Sequence, residues 1–136
     1  MLLLIVSLAV TACGSGLESP SDAFLIPPDQ MAVLTMQADS GDVVAVKRLI
    51  AHYDATSGND GLAEEWRAKA RALGDAQELY YYAAGLFIKA QRENDPGKKR
   101  GMLEEALKAA ERSSSSHADA YTQKLIDEIT RSLAHL

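Results

Sequence analysis

The dipeptide Gly-Asp occurs at Gly41-Asp42 and again 33 residues on at Gly74-Asp75, each time between two stretches dominated by Ala, Leu, Glu, Lys, Arg and Gln. A glycine suits the left-handed position that ends one helix, and an aspartate places negative charge at the start of the next. The surrounding residue types favour helix, and β-branched residues cluster only at Val43-Val44-Ala45-Val46. The pattern predicts an all-α chain with helices near 29–39, 42–54, 61–73, 75–93, 98–112 and 117–134. Turn clusters at Asn59-Asp60-Gly61 and Asn94-Asp95-Pro96-Gly97 supply further breaks. Ser116-His117-Ala118-Asp119 has the Ser-x-x-acid spacing of a capping box, so Ser113 to Ser116 read as a loop with a cap. Lys98-Lys99-Arg100 reads as a solvated basic turn, with anionic headgroups as an alternative contact. Glu64-Glu65 and Glu104-Glu105 are read as acids at helix starts, where the macrodipole favours them.

Helix, polar junction and Ala-rich helix recur every 33 to 43 residues, the signal of a helical array. Ala63, Trp66, Lys69, Ala70, Gly74, Asp75 and Ala76, with Leu49 and Tyr53 in the preceding unit, resemble the SEL-like repeat, a relative of the tetratricopeptide repeat. The sequence departs from that pattern at Ile50, Glu78 and Gly85, and the third unit, around Ala106 to Ala120, has no turn glycine. The resemblance spans residues 31–126 in degenerate form and implies a short α-solenoid of about six antiparallel helices; a plain six-helix bundle is the alternative.

Met1 to Ala12 carry no charged side chain. A run this short does not reach across a hydrocarbon core of about 30 Å, which needs about 20 helical residues; it has the length of a signal-peptide hydrophobic region. Val10-Thr11-Ala12-Cys13 resembles the lipobox of bacterial lipoproteins, in which a peptidase cuts before the cysteine and that residue is acylated. The resemblance implies a signal peptide at 1–12, a lipidated Cys13 opening a tether over 13–28, and a helical-repeat domain over 29–136. Gly14, in place of an aspartate that would resemble an inner-membrane retention signal, makes the periplasmic face of the outer membrane the expected location. Within the tether, Phe24-Leu25-Ile26 interrupts the polar run and is expected to dock on the domain, with contact to lipid as the alternative.

The 136 residues suit one domain, and fourteen Lys and Arg against nineteen Asp and Glu leave a net charge of −5. Nucleic acid is therefore not an expected partner, because nonspecific binding to phosphate backbones rests on cationic contacts. One cysteine leaves no intrachain disulfide framework and no Cys-rich zinc site. His52, His117 and His135 lie on separate helices or helix ends, without the i, i+4 spacing of a helical zinc pair. No catalytic residue, metal site or cofactor is expected, and the chain is not read as an enzyme.

Tyr80-Tyr81-Tyr82 carries the most information about binding. Successive helical residues are about 100° apart, so three tyrosines sweep about 200°. Leu79, Ala83, Leu86, Phe87 and Ala90 already define a core stripe, so at least one tyrosine is left for solvent or a groove. Trp66 is read as core. The expected binding set is Tyr80, Tyr81 and Tyr82, with Asp75 and Glu78 steering a basic partner; the alternative is that two of the tyrosines are core and the third a rim residue without a role in binding. Small lipoproteins with SEL-like repeats include immunity proteins, so the resemblance implies an immunity protein that neutralises a secreted effector or toxin. The alternative is a scaffold or assembly factor of an envelope secretion or pilus machine. Lipidation has a direct test: wild-type chain is expected to incorporate a clickable palmitate analogue and to fractionate with membranes, and Cys13→Ala to do neither.

Overall fold

A computed structural model describes residues 23–136; the apolar run, Cys13 and most of the tether lie outside the described residues. Six helices follow one another: α1 (Pro28–Asp39), α2 (Val43–Asp54), α3 (Asp60–Ala72), α4 (Ala76–Arg92), α5 (Pro96–Ser116) and α6 (Ala120–Ala134). There is no strand among the described residues, and the fold is all-α. Connectors of three to five residues force each helix to pack beside its predecessor. Among the described residues, α4 with α6 is the one non-sequential pair whose backbones approach closely. Packing mainly between sequence neighbours is the property of a helical array.

The junctions follow from local chemistry. Gly41 and Gly74 sit at φ +98° and +86°, in the left-handed region open to glycine. Asp42 then caps α2, accepting from the Val44 and Ala45 N–H groups, and Asp75 caps α4, accepting from Glu78 N–H at 2.9 Å. Asp95 caps α5 with Pro96 in its first turn, where the missing N–H costs nothing.

The apolar residues form two cores. Ile26, Ala38, Ala45, Val46, Leu49, Ile50 and Ala70 fill the first, with Trp66 and Tyr53 packed against it. Leu79, Ala83, Ala90, Leu103, Leu125 and Ile129, with alanines of α5, fill the second. The abundance of alanine lets helix backbones approach closely. Between the cores, at the α3–α4 junction, the contacts turn polar: Arg112 donates to the Arg71 carbonyl at 3.0 Å, and buried Ser113 donates to the Ala76 carbonyl at 2.7 Å.

Three expectations are corrected. The serine run is helical, not a loop: α5 continues to Ser116, and Asp119 rather than Ser116 caps α6, accepting from the Tyr121 and Thr122 N–H groups at 2.8 Å. The serine hydroxyls find acceptors without leaving the helix, Ser113 on Ala76 and Ser115 on the Glu111 carbonyl at 2.9 Å. Lys98, Lys99 and Arg100 lie in the first turn and a half of α5, since the helix begins at Pro96, and Glu104-Glu105 fall in its middle. The end of the expected tether is also part of the folded unit: the docking expected of Phe24-Leu25-Ile26 is made by Ile26, which is buried in the first core and donates its N–H to His52 Nδ1 at 3.0 Å. His52 is consequently an internal acceptor and not a free surface residue. Phe24 and Leu25 remain exposed.

Two glycines give opposite expectations. Gly74→Ala meets only Ser116 Oγ at 3.7 Å, so its cost is the left-handed backbone, about 1–2 kcal/mol. Gly85 lies inside α4 with open space around it, and Gly85→Ala should stabilise by about 0.5–1 kcal/mol. Urea midpoints of the two variants should move in opposite directions from wild type.

Candidate partner-binding cleft

An open cleft of about 540 Å³ lies where the N-termini of α4 and α6 meet the C-terminus of α5. Asp75, Gln77, Tyr80 and Tyr81 line it from α4 and its cap, Lys47 reaches in from α2, and Tyr121 closes the far side. The Gly74-Asp75 turn positions the first group, and the Asp119 cap positions the last. Tyr121 falls one place off the inward Thr122, Leu125 and Ile129 stripe of α6, so its ring is 78% exposed. Tyr81 is 57% exposed.

The rings are held by a polar relay. Lys47 Nζ sits 3.3 Å from Asp75 Oδ2 and donates to Gln77 Oε1 at 2.8 Å; Gln77 Nε2 in turn donates to Tyr81 Oη at 3.2 Å. Tyr80 and Tyr81 pack edge to face, with centroids 5.8 Å apart. Preorganised aromatic surface loses little entropy when a partner covers it. Asp119 stands beside Tyr121 with its carboxyl held below the usual range. The Thr122 N–H and hydroxyl, then the Tyr121 N–H, donate to it.

The three consecutive tyrosines do not share one face. Tyr80 and Tyr81 open on this cleft, and Tyr81 also lines, with Tyr82 and Glu78, a second groove beside Arg67 and Arg71. Tyr82 opens on a charged groove between α3 and α5, where its hydroxyl donates to Glu105 and the Arg71 guanidinium lies 4.4 Å from its ring centroid. The Glu105 carboxylate accepting that hydrogen bond pushes the Tyr82 phenol above its ordinary value.

The two acids assigned to steering are committed inside the fold. Glu78 is only 8% exposed and faces Arg67 at 3.9 Å; Asp75 is spent on the α4 cap and on Lys47. On α4 Glu78 lies between Tyr81 and Tyr82 and lines with them the groove facing Arg67 and Arg71, outside the cleft. Lys47, Asp119 and Tyr121 had no place in the expected site. The one sequence sign of Tyr121 was its offset from the apolar stripe of α6, and nothing local marked Lys47, which arrives from 28 residues before Asp75.

No cluster of His, Cys, Asp or Glu among the described residues has the arrangement to hold a metal ion, and none of the described helices is long and apolar enough to cross a membrane. Comparison of the chain with protein-family models, with curated proteins and with solved structures gives no match.

Burial raises the Glu78 carboxyl above its ordinary value of 4.5, against the opposing pull of Arg67. A carboxyl with a raised folded-state pKa costs stability where it is ionised, and the cost disappears as pH falls through the folded value toward the unfolded one. Arg67 keeps Asp54 at 2.6 Å when Glu78 is neutralised. Glu78→Gln should therefore melt at or above the wild-type temperature at pH 7, with the difference closing as pH falls toward 4.5.

Proposed function

We propose that this chain is a lipid-anchored protein-binding module on the periplasmic face of the outer membrane, and that it acts as an immunity protein that binds and neutralises a secreted effector or toxin. The observation that carries the binding role is the convergence of Tyr80, Tyr81 and Tyr121 on one open cleft. Tyrosine combines rigid apolar area with a hydroxyl and is enriched where partner proteins bind. Side chains that pack no core and bond no interior acceptor, such as the Tyr121 ring at 78% exposure, have solvent or a partner as their contact. The anchor and location rest on Val10-Thr11-Ala12-Cys13, and the immunity role on the resemblance to small lipoproteins with SEL-like repeats.

Site-directed crosslinking tests the reading. With benzoylphenylalanine in place of Tyr81 in the full chain, irradiation of intact cells should capture one secreted protein. That protein should arrest cells lacking this chain, and wild-type chain should restore growth. Tyr81→Ala or Tyr121→Ala should weaken binding of the captured protein by about thirtyfold while the melting temperature holds, since a hot-spot tyrosine contributes about 2 kcal/mol. Capture of a secretion or pilus subunit would replace immunity by a scaffold role, and affinity unchanged in both variants would remove the cleft from the interface.

A further inference from the structure

The geometry points to the Tyr80, Tyr81 and Tyr121 cleft as a receptor for a cationic side chain, an arginine or lysine carried on an exposed segment of the partner protein. This rests on the protein-binding reading above and adds the chemistry of what enters.

Three observations combine. First, three tyrosines line the cleft, and aromatic ring quadrupoles attract cations, guanidinium most of all. Second, the charges around them do not cancel. Lys47 is matched by Asp75 at 3.3 Å, whereas Asp119 makes no ion pair among the described residues. Its Oδ1 accepts two backbone N–H groups and its Oδ2 accepts only the Thr122 hydroxyl, so Oδ2 keeps a free lone pair. The carboxylate is ionised at neutral pH, and those same donors keep it so further into acid. Third, the helix poles favour the same sign. The positive N-terminal ends of α4 and α6 are matched by their Asp75 and Asp119 caps. The negative C-terminal end of α5 has no Lys or Arg in its last turn; its C-cap is His117, which lines the cleft with Ser113 and lies near enough to Asp119 to act on its charge. An anion entering here would meet the Asp75 and Asp119 carboxylates with Lys47 already held by Asp75; a cation meets three tyrosine rings and the free lone pair of Asp119, with His117 as the one basic neighbour at the end of α5. The volume of about 540 Å³ admits a long side chain with part of its backbone. The net charge of −5 adds a long-range pull of the same sign.

The test is titration of the full chain in detergent micelles, with its tyrosine rings isotope-labelled for NMR. The probes are the blocked peptide acetyl-Gly-Arg-Gly-Arg-Gly-amide and the same peptide with citrulline for both arginines, which keeps shape and removes charge. The arginine peptide should shift the ring signals of Tyr80, Tyr81 and Tyr121 and leave Tyr82, on the other groove, as the unmoved reference. The citrulline peptide should bind about tenfold more weakly or worse. Asp119→Asn keeps a residue that caps helices well while removing the charge, and should weaken the arginine peptide by about tenfold with the fold retained. Equal affinity for the two peptides, an Asp119→Asn variant that binds as wild type does, or a Tyr82 signal that moves as far as Tyr81 would each overturn the inference. If crosslinking at Tyr81 still captures a partner under any of those outcomes, the binding role stands and the cationic ligand alone falls. Peptide binding as expected with no captured partner would instead support the cation site and remove the protein-binding role.

Discussion

Everything in this fold depends on how two small cores are held at one junction. The first core closes over α1, α2 and α3 and the second over α4, α5 and α6, and between α3 and α4 there is little apolar contact to join them. Specific polar pairs join them instead. Lys47 of α2 reaches Asp75 at the head of α4, Arg67 faces Glu78, and Arg112 of α5 reaches back to the carbonyl of Arg71. Interactions of this kind are individually modest where solvent screens them, yet they are directional and so set one orientation. The turn at Gly74 lets the chain reverse at that point without strain, and Ser113 passes close enough to bond the first carbonyl of α4.

The cleft is a consequence of that junction. Asp75 caps α4, and the same carboxylate holds Lys47, which holds Gln77, which holds Tyr81. A residue whose sequence context suggests partner attraction is thus the internal fixed point from which the ring is positioned. The cost of Glu78 follows from the same packing. Its carboxyl is enclosed where the SEL-like pattern has a small residue, and Arg67 offsets the lost hydration only in part.

Much of the secondary structure was legible because it is local. Gly41-Asp42 and Gly74-Asp75 marked two junctions correctly, since a left-handed glycine followed by a capping aspartate needs nothing from the rest of the chain. Ser113 to Ser116 misled, since four serines in sequence favour a loop, while in the fold Ser113 is buried against α4 with its hydroxyl satisfied there. The tyrosines were half legible. Their spread around α4 followed from the helical angle, and so did the exposure of at least one of them, but which ring opens on which groove depended on where α3, α5 and α6 lie.

What the sequence by itself determined is the all-α class, the six helices and the Gly41-Asp42 and Gly74-Asp75 junctions, because each rests on contacts within a few residues along the chain. Only the tertiary structure decided that Ile26 docks while Phe24 and Leu25 stay exposed, that Glu78 is enclosed and that Lys47, Tyr81, Asp119 and Tyr121 face one opening. Tyr81, Asp119 and Tyr121 meet through the packing of α4, α5 and α6, and Lys47 joins them through the angle at which the two cores dock. No periodicity within a single helix encodes that angle.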